Sequence, residues 1–283
     1  MLLLGLTFIE AGLLAWLFIA LVNLGSLLWL EIVLGILIGL VVSVGHRILF
    51  LTLMGIINNH CKPHKKFNMF YFRCVCSAFM ILTRVHYKVE GLENFDYSRS
   101  YLFIGNHKSN EDFMYTEIPL KKLKLGFLAK MEVGDSFYGK RYAKQLDCVL
   151  LNRSNDKEGA KSIIQVINNI KKGTSMMIFP EGLRTDRSTN KMLEGHPGSY
   201  KVALKAKCPI VPVSMINTQK IMKNAPFRKT KVKVIFHKPI EYDEYKDLNT
   251  IEIEEKVRNI INDSIPSEEW FYEHDRYHFQ EKR

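Results

Sequence analysis

Two long apolar runs open the chain, at residues 1–22 and 27–45, with a short polar break between them. Each run is long enough to cross the ~30 Å hydrocarbon core of a bilayer as a helix. A signal peptide is the alternative for the first run, but that run lacks a basic start and the second run follows at once. The pattern therefore predicts a membrane hairpin of two apolar helices over residues 1–57.

Two acidic residues interrupt these runs and leave the depth of the helices open. Glu10 and Glu31 are the only Asp, Glu, Lys or Arg residues among residues 1–46. Spanning helices would require these carboxylates to pair or to face a polar gap, whereas shallow helices would leave them near water. The basic residues begin at Arg47, so the positive-inside tendency predicts an integral membrane protein whose remaining chain is cytoplasmic.

The charge of the chain is concentrated after residue 46. That part holds 40 basic and 27 acidic residues, a net charge of +13. A basic body joined to an apolar N-terminus predicts attraction to anionic membrane lipids. Nucleic acid is the competing partner of a basic protein, but the chain carries no nucleic-acid-binding signature, so we predict no such binding.

Cysteine usage argues against disulfide bonds and against a metal site. The five cysteines are odd in number and scattered along the chain. His60, Cys61 and His64 lie close together, but no second ligand pair with zinc spacing accompanies them. We therefore predict neither a disulfide framework nor a bound metal.

Residues 58–85 predict an amphipathic helix at the membrane interface, followed by a linker. The stretch 67–85 is apolar, but Arg73 and Arg84 interrupt it too strongly for a third spanning helix.

Residues 86–283 predict an α/β domain. Apolar β-like runs alternate with segments of helical periodicity, which is typical of a mostly parallel sheet flanked by helices. Pro212 lies inside one of the predicted strands, so that strand is expected to lie at an edge of the sheet or to contain a bulge. Ligands usually bind in the loops that follow such strands.

The loop after the predicted strand 101–104 contains the pair that most suggests catalysis. His107 and Asp112 are five residues apart, so on one continuous helix they would point about 140° away from each other. They meet if His107 lies in the turn and Asp112 lies in the first helical turn after a Ser109 or Asn110 cap. The carboxylate would then fix the imidazole tautomer and leave the other ring nitrogen as a base. A polar surface turn is the alternative.

Three further loops carry charged residues after predicted strands. Glu181, Gly182 and Arg184 follow one strand, Arg153 follows another, and Lys130 ends a third. Glycine lets the backbone approach a ligand, and a guanidinium can bind two phosphate oxygens. A surface turn with an internal ion pair, or solvated bases, are the alternatives.

Together these blocks resemble the glycerolipid acyltransferase superfamily, which includes the 1-acylglycerol-3-phosphate acyltransferases. Their order is Asn106-His107-x4-Asp112, then Arg153, then 179–184, then 210–213, and the resemblance covers about residues 85–220. One position departs from the pattern, because Asp147 stands where the family often has a glycine six residues before the second-block arginine.

The resemblance implies transfer of a fatty acyl chain from a thioester donor, acyl-CoA or acyl-carrier protein, to a lipid hydroxyl. The preferred acceptor is lysophosphatidic acid, acylated at its sn-2 hydroxyl to phosphatidic acid, with no metal or organic cofactor. A different acceptor is the alternative, either another lysophospholipid, glycerol-3-phosphate or a lipid-linked sugar. A non-catalytic membrane scaffold is a further alternative to an enzyme.

The resemblance also implies roles for the site residues. His107 is the base, and Asp112 orients it. Backbone amides near Gly182, or Lys130, would stabilise the oxyanion of the tetrahedral intermediate. The acceptor phosphate would be held by three residues: Arg184, Glu181 and Arg153.

Overall fold

The computed structural model describes residues 2–22, 28–58, 64, 66–135, 137–152, 156–182 and 188–266. The chain divides into an N-terminal unit, Met1–Leu82, and a C-terminal unit, Thr83–Arg283. This boundary lies just before the predicted start of the α/β domain at residue 86. Arg153, Arg184, His60 and Cys61 fall outside the described residues.

Helices come first along the described chain, and strands mostly alternate with helices from Val85 onward. The helices are α1 (Leu2–Val22), α2 (Leu28–Asn58), α3 (Lys66–Leu82), α4 (Asp112–Glu117), α5 (Phe137–Gln145), α6 (Asp156–Lys171), α7 (Lys201–Ala206), α8 (Ile221–Asn224) and α9 (Thr250–Asp263). The strands are β1 (Val85–Glu90), β2 (Leu102–Gly105), β3 (Leu125–Lys130), β4 (Val149–Leu151), β5 (Ser175–Ile178), β6 (Ile210–Ile216) and β7 (Thr230–Phe236).

Helices α1 and α2 form the predicted apolar hairpin, and both are long and apolar enough to cross a membrane. Small residues bring their backbones together. Ala11 and Ala15 are buried in α1, and a Cβ added at Gly35 or Gly39 of α2 would meet their backbone atoms. Such close approach is the usual way in which membrane helices gain van der Waals contact.

The two acidic residues of the hairpin have different surroundings. The Glu10 carboxylate accepts a hydrogen bond from the Arg47 guanidinium and lies 2.6 Å from Nδ1 of His46. Glu31 is buried, and its Oε1 has no hydrogen-bond partner among the described residues. Pairing, one of the expected outcomes, is therefore observed for Glu10.

Helix α3 occupies most of the stretch predicted to be an interfacial helix. Phe72 and Cys76 are buried, whereas Phe67 and Phe70 are exposed. The helix therefore has an exposed apolar surface, and its place at the membrane interface stays a prediction.

The C-terminal unit is built on a seven-stranded sheet with the order β1-β7-β6-β2-β5-β3-β4. Neighbouring strands are parallel except for β6 and β7, which are antiparallel. The mostly parallel sheet is confirmed. The strands β2 to β6 all end at one edge of the sheet, which we call the carboxyl edge.

Each face of the sheet has its own core. On one face, helices α6, α7 and α9 pack over a cluster that includes Ile104, Ile178 and Val257. The other face carries an aromatic cluster in which Phe95 lies 5.7 Å, centroid to centroid, from both Phe103 and Phe236. Alternate residues of β2 therefore serve opposite cores, as the pleat of a strand requires.

Of the two expectations for the strand that contains Pro212, the structure has the bulge and not the position at a sheet edge. Strand β6 lies between β7 and β2, so it is an interior strand. Val213 pairs with Phe236 whereas Ile210 pairs with Ile240, so the partner segment has one extra residue opposite Pro212. The Pro212 carbonyl accepts a hydrogen bond from the His237 N–H, so Pro212 faces the side of the strand on which β7 lies. Proline has no N–H to donate to that side, and the bulge occurs at this position.

Candidate active site

His107 and Asp112 meet at the carboxyl edge, directly after β2. Nδ1 of His107 lies 2.9 Å from Oδ2 of Asp112. The Asp112 side chain is fully buried, whereas 22% of the His107 side chain is exposed. Because the carboxylate accepts the Nδ1 proton, Nε2 is left unprotonated in the neutral imidazole and can act as a base.

Asp112 also shapes the turn that presents the histidine. Its Oδ2 accepts from the backbone N–H groups of Lys108, at 2.8 Å, and Ser109, at 2.9 Å. The expected Ser109 or Asn110 cap is wrong, because α4 begins at Asp112 after Glu111 and has no side-chain cap. The Ser109 hydroxyl donates instead to the Glu111 carboxylate. Asp112 therefore holds in place both the backbone of the turn and the imidazole ring of His107.

A second loop, after the neighbouring strand β5, supports the histidine from another side. The Phe179 ring stacks on the imidazole with centroids 4.5 Å apart and an interplanar angle of 20°. Oε1 of Glu181 accepts the His107 backbone N–H at 2.9 Å. The histidine is therefore held at its ring and at its backbone by residues more than seventy positions away.

Glu181 also belongs to a buried ion pair. Its Oε2 lies 3.3 Å from Nζ of Lys108, and at most 1% of either side chain is exposed. Both carboxylate oxygens thus face the His107 turn, so the observed contacts make Glu181 a residue that positions His107. A contact of Glu181 with substrate phosphate stays a prediction.

The other predicted site residues can be placed only in part. Gly182 has a positive φ of 68°, and its N–H donates to the Phe179 carbonyl at 3.0 Å, so this amide is used within the turn. Lys130 ends β3, which lies two strands from β2, at about 5 Å per strand. Arg153 and Arg184 lie outside the described residues. The identity of the oxyanion donors stays a prediction.

Asn106, the residue before the histidine, ties β2 to β6. Its amide group donates to the carbonyls of Asn190 and Met215, both at 2.7 Å, and its oxygen accepts the Met215 N–H at 2.8 Å. The side chain is fully buried and all these bonds are internal. Asn106 therefore holds the start of the His107 turn in register.

Sequence reasoning did not assign Lys108, Phe179 or Asn106 to the site. Lys108 and Asn106 flank the histidine, and Phe179 precedes the Pro-Glu-Gly turn. Their positions in these blocks were a usable signal, but their roles depend on partners from other strands. Together they build a partly exposed imidazole in a hydrogen-bonded polar turn, an arrangement that suits the removal of a proton from an alcohol.

Comparison with known proteins places this arrangement in a family. The model of the Acyltransferase family matches residues 86–216. A probable 1-acyl-sn-glycerol-3-phosphate acyltransferase of Mycoplasma genitalium is 33% identical over 180 residues, which cover 59% of this chain and 66% of the relative. The 1-acyl-sn-glycerol-3-phosphate acyltransferase of Saccharomyces cerevisiae is 28% identical over 209 residues, which cover 68% of this chain and 64% of the relative. The matches thus span about two thirds of the length of these relatives.

A solved structure supports the fold. The crystal structure of the 1-acyl-sn-glycerophosphate acyltransferase PlsC from Thermotoga maritima superposes with a TM-score of 0.56 at 22% identity, covering 90% of this chain and 95% of that chain. The segment matched by the family model contains the His107–Asp112 pair and the Phe179–Gly182 turn. The resemblance to the glycerolipid acyltransferase superfamily is confirmed by the family model and by these relatives.

Proposed function

We propose that the protein transfers a fatty acyl chain from a thioester donor to the sn-2 hydroxyl of lysophosphatidic acid, giving phosphatidic acid. The observation that carries the proposal is the 2.9 Å contact between His107 and the buried Asp112, within the segment matched by the acyltransferase family. Relatives with the name 1-acyl-sn-glycerol-3-phosphate acyltransferase support the choice of acceptor.

The reaction begins with proton removal by His107. Nε2 takes the proton of the acceptor hydroxyl while the oxygen attacks the thioester carbonyl, forming a C–O bond and a tetrahedral oxyanion. Asp112 stabilises the imidazolium through Nδ1. The intermediate then collapses, the C–S bond breaks, and the imidazolium returns the proton to the leaving thiolate. Acyl ester and free thiol are the products.

Direct attack by the acceptor agrees with the state of the side chains that would compete with it. Burial raises the pKa of the Cys148 and Cys208 thiols to about 12, so neither supplies a thiolate nucleophile near neutral pH. The Ser109 hydroxyl is bound to Glu111. An acyl-enzyme intermediate on any of these three residues is therefore not part of the proposal.

The acceptor phosphate is assigned to Arg184, with Arg153 as a second contact. The proposal for Arg184 is supported by strand order, because its loop follows β5, the neighbour of β2. Arg153 follows β4, at the far end of the sheet, so a contact with the same phosphate requires a long reach. Lys130, at the end of the intervening strand β3, is the cation assigned to the oxyanion.

The donor is acyl-CoA or acyl-carrier protein, and the reaction needs no metal or organic cofactor. The protein is proposed to be an integral membrane protein with its C-terminal unit on the cytoplasmic side. The two apolar helices support this location, and both the acceptor and the product are bilayer lipids.

Acyl transfer by the purified full chain in detergent tests the function. Each donor is supplied with a panel of acceptors: lysophosphatidic acid, lysophosphatidylcholine, lysophosphatidylethanolamine, glycerol-3-phosphate and a lipid-linked sugar. We expect phosphatidic acid as the dominant product. The His107→Ala variant is the negative control and should give little product. Similar rates with acceptors that lack a phosphomonoester would contradict the assigned acceptor. No transfer to any of them would favour a scaffold.

A further inference from the structure

The connection between β6 and β7, residues 217–229, exposes apolar side chains at the carboxyl edge. We call it the basic loop. Phe227 is 84% exposed and Met222 is 60% exposed, the former being the most exposed large apolar side chain among the described residues. Such exposure is unfavourable, because removing the apolar surface of a phenylalanine side chain from water lowers the free energy. The loop therefore favours a partner with an apolar component.

The same loop lies in a stretch of purely positive charge. Residues 217–238 contain seven Lys and Arg residues and no Asp or Glu. Lys223, Arg228 and Lys229 are exposed and surround Phe227 in the sequence. Exposed cations around a protruding aromatic ring match the boundary of an anionic bilayer, where phosphates lie above the acyl chains.

Hydrogen bonds hold the loop in this shape. The Ala225 N–H donates to the Ile221 carbonyl at 2.9 Å, and the Arg228 N–H donates to the Asn224 carbonyl at 2.7 Å. Nη1 of Arg84 donates to the Phe227 carbonyl at 2.8 Å. The exposure of Phe227 is therefore a feature of a bonded turn, with its backbone fixed at the tip.

The basic loop lies near two other features of the C-terminal unit, the start of the unit at Arg84 and the His107 turn. Arg84 follows Thr83, where the chain passes from the apolar N-terminal unit into the C-terminal unit. Strand β6 is the direct neighbour of β2, so the basic loop and the His107 turn leave the same edge of the sheet. A partner bound at the loop would therefore lie at the same edge of the sheet as the His107 turn.

We propose that the basic loop is a membrane contact of the C-terminal unit, separate from the apolar hairpin. Phe227 and Met222 insert at the headgroup level, and Lys223, Arg228 and Lys229 bind the phosphates of anionic lipids. An acidic protein is the rival occupant, but it would not require two protruding apolar side chains next to the chain segment that comes from the membrane.

Tryptophan fluorescence of the full chain in vesicles tests the insertion without relying on enzyme activity. The native Trp16, Trp29 and Trp270 are first replaced by Phe. A single tryptophan is then introduced by Phe227→Trp or, as a matched control, by Ile251→Trp. Ile251 is 64% exposed at the start of α9, near the opposite edge of the sheet.

Phosphatidylcholine vesicles with increasing phosphatidylglycerol and with lipids brominated near the headgroup supply the readout. We expect Phe227→Trp to give blue-shifted emission that bromine quenches more strongly as the anionic fraction rises. Ile251→Trp should give emission typical of water and little quenching. Equal quenching of the two would overturn the proposal.

Charge variants test the role of the cations. Lys223→Gln, Arg228→Gln and Lys229→Gln are combined with Phe227→Trp, and a matched triple at the opposite edge combines Lys124→Gln, Lys171→Gln and Lys172→Gln. We expect only the loop triple to lower the quenching towards that of Ile251→Trp, and added salt to do the same. Unchanged quenching in the loop triple would overturn the assigned phosphate contacts.

A donor assay separates the rival occupant. If the loop triple raises the apparent Michaelis constant for acyl-carrier protein but not for acyl-CoA, and leaves the quenching unchanged, the loop binds an acidic protein and the membrane contact is wrong. Failure of acyl transfer altogether would overturn the proposed function and would leave the fluorescence result standing.

Discussion

The apolar hairpin and the His107 turn are held together by different kinds of interaction. The hairpin brings two helices together through glycine and alanine and leaves most of its apolar side chains exposed. The His107 turn buries three charged side chains, Lys108, Asp112 and Glu181, and pairs each with named partners. A lipid-facing segment thus depends on close backbone approach, whereas the site depends on paired charges and hydrogen bonds.

The strongest test of the polar region is Asp112→Asn. An amide cannot stabilise the imidazolium and favours the wrong tautomer, so acyl transfer should fall about 10³–10⁴-fold, as in other acid–histidine sites. Initial rates at saturating donor check this, with folding followed by circular dichroism. Glu111→Gln, one residue away and outside the histidine contacts, should keep most of the activity, and an equal loss in both variants would contradict the role of Asp112.

Breaking the buried ion pair separates stability from positioning. Lys108→Met leaves the Glu181 carboxylate buried without its partner and should cost about 3–5 kcal/mol of unfolding free energy. The double variant with Lys108→Met and Glu181→Leu should recover most of that stability. It still lacks the bond from the His107 N–H to Glu181, so its acyl-transfer rate should stay low.

Thermal unfolding and initial rates of the single and double variants provide the comparison. A double variant that is both stable and fully active would show that Glu181 does not position the base.

Steric substitution tests the apolar region. Gly39→Val places atoms against the Ala11 backbone, and overpacking should cost about 1–3 kcal/mol. Gly45→Val is the matched control in the same helix, since a Cβ at Gly45 meets nothing within 4 Å. Thermal unfolding in detergent measures both, and equal losses would contradict the close α1–α2 packing.

The smallest expected effect concerns His237, a half-buried histidine next to the end of β7. Burial lowers the pKa of His237, whose Nε2 lies 2.8 Å from the Ser214 hydroxyl. The folded state therefore disfavours the protonated form. The associated stability is complete above the unfolded-state pKa of about 6.5 and is lost as the pH falls through it towards the lower folded-state pKa.

His237→Gln should remove this part of the pH dependence while keeping a donor for Ser214. Denaturant unfolding between neutral and acidic pH measures it. His86→Gln on β1 is the control and should leave the acid loss in place, so an unchanged acid loss in His237→Gln would contradict the assignment.

The elements of the fold follow largely from local patterns. Apolar runs predict the strands, and the stripe of Ile253, Val257, Ile260 and Ile261 predicts α9. The structure buries the stripe except for Ile260, which is half-buried. Helix α5 was not predicted, since the short segment 137–145 contains Gly139 and lacks a clear apolar period. The strand order, and with it the separation of β4 from β2, depends on pairing between remote segments and has no local signal.

The site shows the same division. His107 and Asp112 are near in sequence, so their meeting is predictable from the geometry of a turn. The contacts of His107 with Phe179 and Glu181 span more than seventy residues and arise only because β2 and β5 are neighbours. The Asn106–Met215 bond spans 109 residues for the same reason, since β2 and β6 are neighbours too.

The central claim is that His107 is the base that deprotonates a lipid alcohol. The pH dependence of kcat/KM for the parent chain and for His107→Ala tests it most directly. We predict an acid limb in the parent, where protonation of the imidazole stops the reaction, and a residual rate in the variant that is about 10²–10⁴-fold lower and lacks this limb. A folded His107→Ala protein that keeps the parental rate and acid limb would contradict the account.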